Sequence, residues 1–478
     1  MTDNEILDVV GVGLGPFNLG LAALLDGVDD VRAVFLDQRA GFDWHPGLLL
    51  DDAEIQVPFL ADLVTMADPT SRHSFLNYLH EHGRLYRFYF HERFQILRRE
   101  FQHYGAWVAG RLPGCRFGRR VVDVRPHVDG GWTVEAAGPD GGAETYRTRQ
   151  VVFGVGTVAT LPACAAAHVD RGTTVSADGT LLHSGDYVPH RAPLHAAPSV
   201  TVVGGGESAA EIVLDLLQHA APETRIDWVT RGLGFLSMEY GKLGLEHFTP
   251  EYVDHFHALD PDRRDALRDQ QDLLYKGIST DTQAAIYDAL YRRTAAGGEE
   301  PRVAYRARTE VREVVRDGDG WWLTLRHRDE QAEAELPTSA VVFATGYAAP
   351  PLPLDAALIA TDDAGRPDVS RDYRLRGPDG AATDLFVQNA ELHSHGVGTP
   401  DLGMATYRNA VLVNAIAGRP VYAVPERTVF QRFGLGDLRE AGATPATARG
   451  ETSGPADDAA ARNDASGPVD DATAGADA

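Results

Sequence analysis

Short apolar runs alternate with longer amphipathic stretches along most of the chain. Ile6–Val10, Ala33–Asp37, Gln150–Gly154, Ser199–Val203, Arg225–Thr230 and Ala340–Ala344 read as short buried strands. Helical patterns mark Phe17–Leu25, Ser74–Arg84, Glu92–Val108, Glu207–His219, Asp262–Leu274 and Asp281–Arg293. Such alternation predicts an α/β fold with parallel sheets. The segment 310–337, with Trp321–Arg326 and Ala332–Leu336, reads instead as antiparallel β. No repeat of solenoid period is present. Residues 441–478 are Ala/Gly/Pro/Asp/Thr-rich and too poor in apolar side chains to offset ordering entropy, so a disordered acidic tail is expected there.

Two of the strands run directly into glycines. The first is Asp8-Val-Val-Gly11-Val-Gly13-Leu-Gly15-Pro16-Phe-Asn18, followed by an apolar helix. In that setting backbone N–H groups and a helix N-terminus hold a pyrophosphate. Asp37 closes the next strand, where a carboxylate accepts from a ribose hydroxyl. Pro16 replaces the third glycine of the generic fingerprint. The second turn is Gly204-Gly-Gly206-Glu207-Ser208-Ala209. Its following strand ends in Thr230-Arg231, and a cation there suits a 2′-phosphate, which favours NADPH over NADH. Two such turns predict two Rossmann-like dinucleotide-binding domains, the NADPH domain inserted in the FAD domain. The expected divisions are 1–195 for FAD, 196–338 for NADPH with a substrate-site segment at 235–290, and 339–432 for the return. Val341–Tyr347, with Thr345 and Gly346, is read as the strand and turn of that return.

Charge and cysteine content narrow the function. The 478 residues carry a formal charge of −25, which speaks against nucleic acid or an anionic membrane as partner. The expected tail holds seven acids and two arginines, so −20 belongs to the body. Lys242 and Lys276 are the lysines, against 42 arginines, a balance consistent with solvation at high salt or with codon bias. Cys115 and Cys164 show no disulfide or metal-ligand spacing, which points to a reducing cytoplasmic compartment and to no metal site. The Ile6–Val10 run leads straight into glycines and is read as a strand, so no signal peptide is expected, and no apolar run reaches membrane-spanning length. Without a paired dithiol, a flavin disulfide reductase is excluded, leaving reaction of the reduced flavin with O₂.

The residues resemble the flavin-dependent N-hydroxylating monooxygenases of hydroxamate siderophore biosynthesis, which act on lysine, ornithine or diamines. The resemblance rests on the first glycine turn, Trp44-His45, Gln56, Phe59–Thr65, Asp68–Ser71, Phe75–Leu79, Phe248–Tyr252, Phe343–Tyr347, Gln388–Gly396 and Pro400–Met404. It implies FAD, NADPH and O₂ dependence, with a primary amine attacking a C4a-hydroperoxyflavin in a dry pocket. By this resemblance Gly11, Gly13, Gly15, Pro16 and Asn18 meet the FAD phosphates, and Trp44, His45 and Gln56 line the flavin. Gly204, Gly206, Ser208 and Arg231 meet NADPH. Thr345, Gly346, Leu402 and Gly403 belong to the cofactor site, and His45, Glu207 and Glu391 are the candidate catalytic groups. A homo-oligomer is the family's common state.

Two departures from the family pattern matter. Glu207 stands where the family usually has Gln, and Ala61 stands where the amino-acid hydroxylases carry a Lys facing the substrate carboxylate. A buried carboxylate without its counter-charge is costly, so a terminal diamine (1,3-diaminopropane, putrescine or cadaverine) is favoured over lysine or ornithine. Its second ammonium needs an anion, for which Glu239, Glu246, Glu391 and Asp401 are candidates. His393 and His395 are read equally as structural or proton-handling groups. A Baeyer–Villiger or S-oxidising monooxygenase lacks support, since its Phe-x-Gly…His…Trp-Pro signature is missing. Intact glycine turns and Arg231 argue against a non-catalytic flavoprotein.

Overall fold

A computed structural model describes residues 6–295, 302–436 and 438, so the tail expected at 441–478 lies outside the described residues. The described residues up to Phe433 form one compact unit. Ile6–Val12 lies at the heart of the first sheet, parallel to Ala33–Asp37 on one side and to the end of Ala143–Phe153 on the other. Ala382–Val387 extends the sheet in parallel, and Arg374–Arg376 closes it as an antiparallel edge. Near-continuous apolar strands are what a sheet covered on both faces requires.

The second sheet is parallel throughout, in the order Val303–Arg306, Arg225–Val229, Ser199–Val203, Ala340–Phe343, Leu181–His183. This corrects the expected divisions. Leu181–His183 and Ala340–Phe343 pair with the NADPH-type strands, so the second sheet draws chain from both sides of 196–338. The return to the first sheet comes at Ala382–Val387, not at Val341–Tyr347. The antiparallel segment is present as Thr309–Asp317, Gly320–His327 and Glu333–Thr338.

Helix ends differ from the apolar pattern where backbone conformation intervenes. The expected Ser74–Arg84 helix is Phe75–Glu81, and a separate helix follows at Leu85–His91. Glu92 then turns left-handed (φ 52°), so the next helix starts only at Arg98 and runs to Ala109. The expected Asp262–Leu274 helix is Pro261–Gln270 followed by a short 3₁₀ turn. Leu402–Ala417 has no amphipathic stripe to betray it, because it is buried on almost every side and packs along Pro16–Leu25. No described helix is long and apolar enough to cross a membrane.

Candidate active site

The first glycine turn is shaped by close packing. Gly13 adopts φ 90°, and a Cβ there would fall 2.3 Å from the Gly154 carbonyl oxygen. Gly15 faces open space and precedes the helix Pro16–Leu25 with no side-chain cap, leaving the first N–H groups free for phosphate. Asn18 is fully buried and serves the turn from behind. Its amide donates to Gly13 O at 2.8 Å, and its oxygen accepts from Gln388 Nε2 at 2.8 Å. Asp37 stands at the tip of its strand as expected. One oxygen accepts from the Leu14 N–H (2.8 Å), and Arg39 pairs with the carboxylate at 2.9 Å. Gln56 Nε2 is a buried donor without a hydrogen-bond partner, the kind of orphan a flavin edge satisfies.

Trp44 and His45 lie on one continuous ring surface. The Trp44 ring stands 5.0 Å from His45 and 5.0 Å from Phe101, and His45 stands 5.8 Å from Tyr347. His45 is left-handed (φ 51°), and burial beside Arg98 and Arg39 pushes its imidazole down to about 4. It is therefore neutral at physiological pH. Gly346 O accepts from the Thr160 N–H and from His183 Nε2, while the Thr345 hydroxyl donates to Thr160 O. This pair fixes the crossing between the sheets.

At the second turn Gly204 has φ 151°, and a Cβ there would lie 2.4 Å from Ala344 O. Gly206 leads the helix Glu207–His219 without a side-chain cap, and Ser208 is half-buried in its first turn. Arg231 is exposed and makes no ion pair with any described residue, which leaves its guanidinium open to an anionic ligand. Glu207 is already committed. Its oxygens accept from the Ser279 N–H (2.5 Å), the Ser279 hydroxyl (3.0 Å) and the Thr282 hydroxyl (2.7 Å). Its carboxylate thus caps the N-terminus of the helix Thr280–Thr294, which makes it a positioning residue. This also gives the departure from Gln a physical reason, since a carboxylate accepts at both oxygens and an amide at one.

The substrate-side candidates separate clearly. Asp401 caps the helix Leu402–Ala417 by accepting from Met404 N (3.0 Å), and burial pushes its carboxyl up to about 6. A Cβ on Gly403 would lie 2.8 Å from Asp401 Oδ1 and 3.9 Å from Ala61 Cβ, so Ala61, Leu402, Gly403 and Asp401 converge. Ala61 also borders a small void lined by Ile55, Val57, Phe59, Phe101 and the buried Asp62, whose carboxylate is already taken by the N–H groups of Val64, Thr65 and Phe75. Burial raises the Tyr240 hydroxyl, and the charges of Glu207 and Asp401 raise it further.

Three acids expected there belong elsewhere. Glu391 is wholly buried, 3.1 Å from the guanidinium of the equally buried Arg408, so it cannot meet a substrate ammonium. Glu246 accepts from the backbone N–H groups of Phe430 and Gln431. Glu239 is exposed and turns onto its own Gly241 N–H. His393 and His395 are structural: with His257 they place ring nitrogens 2.8, 3.3 and 3.1 Å from the carbonyls of Pro367, Arg371 and Val369. Burial depresses all three imidazoles.

Sequence reasoning missed Tyr240, which carries no local signal. It also missed Arg98, which forks onto Glu211 at 2.9 and 2.7 Å and ties the first domain to the NADPH-side helix. A signal did exist for Glu211 and Asp215, which lie four residues apart among the apolar positions of Glu207–His219.

The model of the L-lysine 6-monooxygenase/L-ornithine 5-monooxygenase family matches residues 5–349. The chain belongs to this family. It is 44% identical to the rhizobactin siderophore biosynthesis protein RhbE of Rhizobium meliloti, covering 91% of this chain and 96% of that protein. Against the putrescine N-hydroxylase of Shewanella oneidensis identity is 38%, covering 93% and 87%. The crystal structure of DfoA bound to FAD, the cadaverine monooxygenase of Erwinia amylovora, superposes with a TM-score of 0.83 at 39% identity, covering 90% and 99%. The enzyme is thus an NADPH-dependent flavin monooxygenase that hydroxylates an amine nitrogen, with FAD and NADPH as cofactors.

Proposed function

We propose that this enzyme N-hydroxylates one end of a terminal diamine of three to five carbons for hydroxamate siderophore biosynthesis. The balanced reaction converts the amine, O₂, NADPH and a proton to the hydroxylamine, NADP⁺ and water. The observation that carries the reading is the charge of the substrate pocket. Position 61 supplies no cation, and Asp401 Oδ1 and Ala61 Cβ both lie within 4 Å of where a Cβ on Gly403 would stand. A carboxylate-bearing substrate would face an acid without a counter-charge, whereas a remote ammonium is stabilised there. The relatives named for putrescine and cadaverine support the same chemistry.

FAD supplies oxygen activation when bound. Gly13, Gly15 and Gln56 hold it, and Gly204, Gly206, Ser208 and Arg231 receive NADPH. The rings of Trp44, His45, Phe101 and Tyr347 exclude water, and these apolar, uncharged surroundings favour the neutral form of the reacting amine. The two free cysteines support a reducing, cytoplasmic setting.

The test is hydroxylamine formation and kcat/KM for 1,3-diaminopropane, putrescine, cadaverine, lysine and ornithine with the FAD-loaded enzyme. A diamine is expected to lead by at least tenfold, and Ala61→Lys is expected to abolish that lead. Preference for lysine or ornithine by the unmodified enzyme would overturn the proposal.

A further inference from the structure

A second cluster of ligating side chains lies away from the cofactors, at the far ends of two helices. Glu207–His219 begins at the NADPH turn, and its last residues are about 18 Å further along the axis at 1.5 Å per residue. There Asp215 and His219 share one helix face at i,i+4 spacing, and His195 reaches in from the end of Tyr187–His195. His195 Nε2 lies 2.6 Å from Asp215 Oδ2, and His219 Nδ1 lies 3.1 Å from Asp215 Oδ1. The two imidazoles are stacked, 17° from parallel with centroids 5.6 Å apart, and present their nitrogens to the same carboxylate. All three ligand atoms fall within 4.8 Å of one another.

We propose that His195, Asp215 and His219 bind a borderline divalent cation of the Zn²⁺ class. Two imidazoles and one carboxylate are a donor set that suits such ions. The Tyr187 hydroxyl, from a fully buried side chain, donates to Asp215 Oδ2 at 2.7 Å and orients the carboxylate from behind, as outer-shell groups do around bound metals. Water has a way in, because the His219 side chain is 52% exposed and that of His195 is 19% exposed. Ligand atoms around tetrahedral zinc stand roughly 3.3 Å apart, given bonds of about 2.0–2.1 Å. The His195–Asp215 contact therefore opens slightly on binding, which a partly exposed side chain allows. His219 Nδ1 also lies 3.0 Å from the Asp215 carbonyl, which keeps its helical N–H donor when that nitrogen turns to a metal. The linear sequence concealed this site, because His195 belongs to a different helix and no short ligand spacing includes it.

The consequence is a clip joining the ends of two helices outside the reaction site. The experiment incubates FAD-loaded enzyme with ZnCl₂, removes loose metal by gel filtration and measures zinc per chain and melting temperature. One zinc per chain and a melting temperature raised by several degrees are expected. His219→Ala and His195→Ala are each expected to weaken zinc binding at least tenfold, with FAD content and amine-dependent NADPH oxidation unchanged. His91→Ala, at an exposed histidine elsewhere, is expected to bind zinc like the unmodified enzyme. Absence of stoichiometric zinc in the unmodified enzyme, or undiminished binding in both histidine variants, would overturn the proposal.

Discussion

Asp401 joins two opposing influences at one side chain. Backbone N–H groups of Gly403 and Met404 favour its charged form, and burial opposes them and wins, lifting the carboxyl from its ordinary value to about 6. Above that pH the group is an anion able to hold an ammonium, and below it the group is neutral. The remote ammonium of a diamine, titrating near ~10.4, stays charged throughout this range. KM for a diamine is therefore expected to rise as pH falls through about 6, by about tenfold per pH unit below the break. Neutralisation of the reacting amine also raises kcat/KM with pH, but that slope is common to every variant. Asp401→Asn is expected to lose the break alone and to raise diamine KM about 10- to 100-fold, the loss of a ~1.5–3 kcal/mol charged hydrogen bond. His45, held down to about 4, adds no limb near neutrality. Steady-state kinetics from pH 5.5 to 8 decide the matter: a Asp401→Asn profile that keeps the break near 6 would clear Asp401 of the role.

Glu207 connects two helices that the sequence separates by a whole substrate segment. Its three acceptor contacts hold the start of Thr280–Thr294 against the NADPH turn, where a Cβ on Gly206 would meet Lys276 O at 3.3 Å. Replacing one oxygen by an amide nitrogen removes an acceptor shared by two hydroxyls, at a cost of about 1–2 kcal/mol to that capped terminus. Glu207→Gln is expected to raise KM for both NADPH and amine several-fold, to speed hydrogen exchange over 277–290, and to leave FAD content intact. Unchanged exchange in that segment would refute the capping role. Both glycine turns were legible in the sequence, because a strand, close-packed glycines and a helix are a local requirement of the backbone. The Leu402–Ala417 helix was not, since a helix buried on all sides has no periodic contrast. Charge partners were the least legible of all. Nothing local distinguishes Glu391, sealed against Arg408, or Glu246, bound to the backbone at 430–431, from Asp401, whose helix start at Gly403 approaches Ala61. The missing cation at position 61 was readable in one dimension; which of the four candidate acids lies near it is decided only where two distant segments meet.

At the scale of the whole molecule, a charge of −25 has two effects of opposite sign with salt. Like charges crowded on a compact body repel one another, so screening stabilises the fold. The same field draws in a doubly charged diamine more strongly than lysine, whose net charge near neutrality is about +1. Screening weakens that attraction, because the Debye length shrinks from about 10 Å at 0.1 M to about 3 Å at 1 M. Raising NaCl from 0.05 to 1 M is therefore expected to raise the melting temperature and to lower kcat/KM for diamines several-fold, with kcat nearly constant. NADPH is anionic, so its own KM is expected to fall over the same range, and saturating NADPH separates the two effects. A diamine kcat/KM that holds steady or climbs with salt would show that the acidic body serves solvation alone. A decline shared equally by lysine would locate the effect in ionic strength generally, and a steeper decline for the dication is what the field of this molecule requires.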